Sequence, residues 1–165
     1  MKRRNPLQRQ RRHIDRAFDT PRLDPYLERG KPRGPGVCPD CGAVFRRGRW
    51  QWGEASERAQ THLCPACRRV RERDPAGSVR LSGAFFAAHR DEVLALVRNE
   101  ENREKRAHPL QRIMASREAR GALEISTTDI HLARRIGDAL GNAFRGNLEI
   151  RYSHDEYRVR VNWSR

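Results

Sequence analysis

Long apolar runs are missing from this chain. No stretch approaches the length needed to cross a bilayer, so a membrane partner is not expected. Apolar residues make up only 36% of the 165 positions and aromatic residues 7%, which argues against one large core and for one or two small units. There is no Gly-rich phosphate loop, no His-Glu-x-x-His helix and no nucleophile elbow. The 6 histidines are scattered, so no acid–base pair can be assembled from them. These absences predict a protein that is not an enzyme. No stretch has the pattern of a signal peptide, which makes a secreted disulfide scaffold unexpected and a cytoplasmic location the expectation. Lysine is almost absent, with 3 Lys against 32 Arg.

Cysteine is scarce too, but its placement is informative. The only 4 cysteines form two Cys-Pro-x-Cys turns, Cys38/Cys41 and Cys64/Cys67, in the stretch CPDCGAVFRRGRWQWGEASERAQTHLCPAC. Each such turn directs two sulfurs at one point and leaves backbone N–H groups to hydrogen-bond them. Two turns supply the four thiolates that tetrahedral zinc takes, with no position left for a reactive water. A redox dithiol needs only one pair, usually beside a βαβ pattern. His62 lies beside the second turn and is read as a flanking residue. In a segment with so few apolar residues, structural zinc is expected to supply folding energy of roughly 10–16 kcal/mol. Oxidant that paired the cysteines would eject it.

The net charge is +14 and the pI about 11.1. A charge of that size on a small chain implies a polyanionic partner. Arginine offers a planar fork for phosphates and a face for stacking on bases. Arg-rich codon usage would explain arginine over lysine, but not the excess of base over acid.

The predicted architecture is α+β, in four parts. Residues 1–36 carry 5 of the 9 prolines and half of the net charge, and read as a disordered basic arm. Arg3, Arg4, Arg11 and Arg12 are its candidate phosphate contacts, and Ile14, Phe18, Leu23, Tyr26 and Leu27 are scattered apolar anchors. Residues 37–75 read as the zinc ribbon, with short strands at 43–45 and 50–52 joined by Arg46, Arg47, Gly48 and Arg49. An arginine turn beside Trp50 and Trp52 suits RNA: arginines hold phosphates while an indole stacks a base. Alternation puts Trp50 and Trp52 on one face, and the competing role for each is to cover the metal site. Arg68 and Arg69 extend the basic surface.

Residues 76–120 read as a helical linker, capped at Ser82, with an apolar stripe of Phe86, Val93, Leu94 and Val97. Glu100, Arg103 and Glu104 form its solvated side, and His108-Pro109 ends the helix. Residues 121–165 read as a self-contained β-α-β-β module. Its helix stripe is Ile130, Ala133, Ile136, Leu140 and Phe144. The outer face of its sheet is polar and half basic, including Arg151, Arg158 and Arg160.

The segments CPDCGAVFRRGRWQW, CPACRR and LEISTTDIHLARRIGDALGNAFRGNLEIRYSHDEYRVRV resemble the archaeal and eukaryotic large-ribosomal-subunit export adaptors. They are similar also to small uncharacterised bacterial zinc-ribbon proteins. The resemblance implies zinc at Cys38, Cys41, Cys64 and Cys67, and contact with ribosomal RNA or the large subunit. The chain departs from that family in having one cysteine quartet, no downstream domains and no leucine-rich export tail, so nuclear export is not implied. The expectation is thus a zinc-stabilised RNA-binding protein associated with the ribosome. The alternative is a protein-interaction adaptor, or a transcription-associated DNA binder, that docks through the ribbon onto a protein partner. No helix-turn-helix and no dimerising heptad supports the DNA reading.

Overall fold

The computed structural model of the chain describes residues 24–29, 31–153 and 155–165. The fold is α+β, built from a small cysteine-bearing ribbon and a larger unit of one sheet with helices on one side.

In the ribbon, α1 (Pro25–Arg29) precedes β1 (Gly36–Val37), β2 (Val44–Arg46), β3 (Arg49–Gln51), β4 (Gln60–Thr61) and α2 (Pro65–Glu72). The strands order as β3-β2-β1-β4, with β1 and β4 parallel and the other pairs antiparallel. Arg46 pairs with Arg49, so the β2–β3 turn is just Arg47-Gly48. Both residues have positive φ, 52° and 79°, the requirement of a type I′ hairpin. Gly48 meets it without strain, and Arg47 does not.

The second unit runs β5 (Gly77–Ser82), α3 (Ala84–Ala88), α4 (Arg90–Ala107), β6 (Ile113–Ala119), β7 (Ala122–Thr127), α5 (Ile130–Phe144), β8 (Asn147–Tyr152) and β9 (Val159–Ser164). The sheet order is β6-β7-β5-β9-β8, with β5 and β9 parallel and the other pairs antiparallel. Alternation sends Val79, Leu81, Leu123, Ile125, Val159, Val161 and Trp163 inward. There they meet Val93 and Val97 of α4, and Leu132, Ala133, Ile136 and Leu140 of α5, in one buried core. Trp163 is fully buried, and its indole N–H donates to the Arg145 carbonyl at 2.7 Å. Gly77 opens β5 where no larger residue fits: an added Cβ would come within 2.5 Å of Ala133 Cβ.

The segment read as a helical linker, 76–120, contributes two strands as well as helices. Ser82 is the last residue of β5, and Gly83, not Ser82, precedes the first helix. The central strand of the sheet is β5, so the β-α-β-β stretch is not a sheet by itself. Its two halves, β7 and β9, meet only through β5. The alternating pattern of Gly77–Ser82 is short and was overshadowed by the stronger helical stripe that follows it. Glu104, expected on a solvated side, is buried at 6% exposure, with Arg135 Nη1 at 3.2 Å and Arg103 Nε at 3.7 Å. The α5 helix packs over that turn and removes it from water.

The end of the segment expected to be a disordered arm is ordered where it is described. Asp24 and Tyr26 are buried against α2, Asp24 pairing with Arg69 Nη2 at 2.7 Å. The Arg69 guanidinium lies 4.0 Å from the centre of the Tyr26 ring, and the Tyr26 hydroxyl donates to Glu72 at 2.6 Å. Arg69 itself is 3% exposed and also donates to the Asp74 carbonyl at 3.0 Å. A buried guanidinium needs carboxylate and carbonyl partners, and Asp24, just before α1, is one of them.

Candidate metal centre

Four cysteines from two local structures meet at one point. The first turn closes through the Gly42 amide, which donates to the Cys38 carbonyl at 2.9 Å, and the Cys38 amide, which donates to the Ala43 carbonyl at 2.8 Å. The second turn is the start of α2. Cys64 is its N-cap with extended backbone, Pro65 occupies the first turn, and Cys64 Sγ accepts from the Cys67 amide at 3.4 Å. The Cys41 and Cys67 side chains and burial push the Cys64 thiol up, and the Cys67 amide at the helix N-terminus works against them. The Cys64 amide in turn donates to Cys38 Sγ at 3.4 Å, joining the two turns. Outside the cluster, Arg71 grips Asp40 with two hydrogen bonds, Nε at 2.8 Å and Nη2 at 2.5 Å, clamping α2 to the first turn.

The Sγ atoms of Cys38, Cys41, Cys64 and Cys67 all lie within 4.8 Å of one another. None of the four cysteines is in a disulfide, and three are buried while Cys41 is half-buried. Cys41 Sγ lies 3.8 Å from Cys64 Sγ. Tetrahedral coordination with metal–sulfur bonds of about 2.3 Å separates ligand sulfurs by about 3.8 Å. The donor set therefore fits one tetrahedral metal ion held by sulfur alone. His62, the flanking histidine, is not in the cluster; its ring stacks on Trp50 at 6.2 Å.

A fifth residue was invisible to the sequence. Arg112, from the segment leading into β6, points Nη2 at Cys67 Sγ (3.2 Å) and Cys64 Sγ (3.5 Å). Burial opposes its charge, but the sulfurs of Cys67, Cys64 and Cys41 outweigh burial and hold the guanidinium more firmly protonated than usual. Hydrogen bonding with Cys41 and burial push the Cys67 thiol up to about 11, and Cys64 and then Arg112 work against them. A divalent metal bound by four thiolates leaves two excess negative charges, and Arg112 would offset one. The Arg112 backbone is pinned by Thr128, whose hydroxyl accepts from its amide at 2.9 Å and whose amide donates to its carbonyl at 2.9 Å. No motif could have signalled this contact, because it joins residues 45 apart in the chain.

Trp50 and Trp52 do different jobs, contrary to the expectation that they share a face. Trp50 is 8% exposed and packs on Phe45 at 5.4 Å between ring centres, so it belongs to the ribbon core. Trp52 lies beyond the end of β3, where strand alternation no longer applies, and is 38% exposed. Its indole N–H donates to the Lys105 carbonyl at 2.6 Å, tying the ribbon to the last turn of α4.

The arginines separate in the same way. Arg46, Arg47 and Arg49 are exposed together at the hairpin tip. Arg68 is half-buried, and Arg69 is enclosed in its ion pairs rather than extending the surface. Arg151 and Arg160 face each other across β8 and β9 on the side of the sheet opposite the helices. Arg151 pairs with Glu149, and Arg158 with Asp74 and Glu156. That open face also carries Arg80 and Arg117, which share Glu124 at 3.0 Å each. Arg3, Arg4, Arg11 and Arg12, with Ile14, Phe18 and Leu23, lie outside the described residues. No helix among the described residues is long and apolar enough to cross a membrane.

No family model matches the chain, and no curated protein or solved structure does.

Proposed function

We propose that this is a zinc-stabilised RNA-binding protein of the cytoplasm that works without catalysis, with ribosomal RNA or the ribosome as its partner. One observation carries the reading. Arg46, Arg47 and Arg49 stand exposed at the tip of the β2–β3 hairpin, and among the described residues none of the three makes an ion pair. Many other arginines face a carboxylate, as Arg71, Arg90, Arg117, Arg135 and Arg158 do. The tip thus holds cationic charge that the protein does not use internally. Its forks suit phosphate oxygens.

Backbone strain supports the same conclusion. Arg47 has a left-handed backbone, which costs an L-residue roughly 1–2 kcal/mol. Asparagine or glycine is the relaxed choice in such a turn. Among the described residues every non-glycine with positive φ is an arginine: Arg47, Arg73, Arg120 and Arg145. Keeping the cation at that cost is consistent with a partner that needs it. The net charge of +14 supports an anionic partner.

Zinc is the ion that suits four thiolates in a closed tetrahedral site with no catalytic position. Iron shares the sulfur preference, and elemental analysis separates the two: one zinc per chain is expected, and stoichiometric iron refutes zinc. RNA binding is tested by filter binding of ribosomal RNA fragments across a salt series. Affinity is expected to fall with a log–log slope of about −0.7 for each phosphate contacted. A slope near zero refutes the electrostatic premise.

A further inference from the structure

A cleft of about 250 Å³ lies where the ribbon, the end of α1 and the sheet unit meet. Leu27, Phe45, Trp50, Pro109 and Leu110 supply its apolar lining. Lys31 and Arg49, both exposed, stand at it with His108. Gln111 and Asp129 supply the acceptors.

The polar atoms set this cleft apart from an ordinary surface dent. Gln111 Oε1 is buried and has no hydrogen-bond partner. A buried acceptor without a partner costs about 1–3 kcal/mol, and native proteins rarely leave one unmet. Asp129 uses one carboxylate oxygen to cap α5, accepting from the His131 amide at 2.7 Å and the Leu132 amide at 3.3 Å. Its other oxygen accepts from the Tyr157 hydroxyl at 3.4 Å, and burial pushes the carboxyl's pKa up. The cleft therefore has one unpartnered acceptor, Gln111 Oε1, beside apolar walls, with two cations at its edge. Its volume lies just below the roughly 300–1,000 Å³ of ordinary small-molecule sites. That is room for one base, with an attached phosphate at the rim.

We propose that this cleft takes a single unstacked nucleobase bearing an exocyclic amine, with the attached phosphate against Lys31 and Arg49. The inference rests on the RNA reading above and gives that reading a base-selective element. The amine donates to Gln111 Oε1 and to the Asp129 carboxylate, and the ring lies against Pro109, Leu110 and the accessible edge of Trp50. Arg49 is also one of the hairpin-tip arginines, so a strand held at the tip passes the cleft. Uracil is disfavoured, because it offers carbonyl oxygens where these acceptors need donors. The same chemistry would recognise a free mononucleotide, and the experiment separates the two sources.

The test uses the full-length, metal-loaded protein. Anisotropy titrations compare a short oligoadenylate, an oligouridylate and an abasic ribose-phosphate oligomer of equal length, and calorimetry measures 5′-AMP. Burying one base is expected to make oligoadenylate about tenfold tighter than the abasic oligomer. Gln111→Leu should erase that difference and leave the abasic affinity unchanged. AMP should bind weakly and compete with oligoadenylate; AMP binding tighter than the oligomer identifies a free nucleotide as the true occupant. Equal affinity of the adenylate and abasic oligomers for the wild-type protein overturns the cleft proposal while the RNA reading stands. That comparison needs no variant, so it holds even if Gln111→Leu fails to fold. Absence of binding by all three oligomers and AMP overturns both.

Discussion

Replacing Arg112 by leucine isolates the charged group that the segment before β6 lends to the candidate metal centre. The change removes the N–H groups at 3.2 Å from Cys67 Sγ and 3.5 Å from Cys64 Sγ, along with a half-buried positive charge. Two unit charges about 4 Å apart near a protein surface attract by about 4 kcal/mol at an effective dielectric of 20. That is an upper bound, since desolvating the guanidinium opposes it. Loss of a group that hydrogen-bonds a metal ligand usually lowers metal affinity by about 10–100-fold. The upper figure corresponds to about 2.7 kcal/mol, within the Coulombic bound. The expected result is a 10–100-fold weaker zinc affinity in competition with a chromophoric chelator. Arg112→Lys keeps the charge but loses the planar fork, and should fall between. The pinning of residue 112 by Thr128 involves only backbone atoms of Arg112, so far-UV circular dichroism of the loaded variant should be unchanged. A zinc affinity within twofold of wild type would refute the argument that Arg112 offsets the charge of the thiolates.

Cys64→Ser removes a ligand and the N-cap sulfur of α2 together, so zinc content should fall to zero and the ribbon should unfold. The core of the sheet unit is separate from the cysteine cluster, so its cooperative melting should persist; loss of both together would show that the units are inseparable. Chelator should reproduce the same outcome in the wild-type protein. Arg47→Asn relaxes the left-handed position and should raise stability by about 0.5–1 kcal/mol in denaturant titration. The same change should weaken RNA binding and shallow the salt slope by about 0.7; unchanged RNA binding would remove Arg47 from the interface. Asp24→Ala strips the partner from a buried guanidinium and should cost about 3 kcal/mol, the lower end for a broken buried pair. A cost under 0.5 kcal/mol would mean that α1 does not need Arg69 for its seat, nor Arg69 the helix.

Local patterns were legible wherever the physics is local. The two Cys-Pro-x-Cys turns announce their own geometry, because each pair of sulfurs is oriented by four consecutive residues. The stripe of α5 and the alternation of β8 and β9 were readable because burial on one face imposes a period of 3.6 or 2. The arginine turn was readable too, since Arg47-Gly48 sits between two short strands. Trp52 was misread because β3 ends at Gln51, and one residue past a strand the alternation rule loses its force. Glu104 was misread because its helix is solvent-facing in isolation and buried only once α5 lies over it.

The sequence by itself determined that the chain carries two cysteine turns suited to one metal ion and a large cationic surplus, since both depend only on which residues occur and on spacings of a few positions. The tertiary structure decided the rest. It placed β5 at the centre of a sheet that its immediate neighbours in sequence do not suggest. It chose which tryptophan is core, sent Arg69 inward and left the hairpin tip charged. It also brought Arg112 onto sulfurs far away in the chain. These outcomes depend on which surfaces exclude water from each other, and no property of a single segment encodes that.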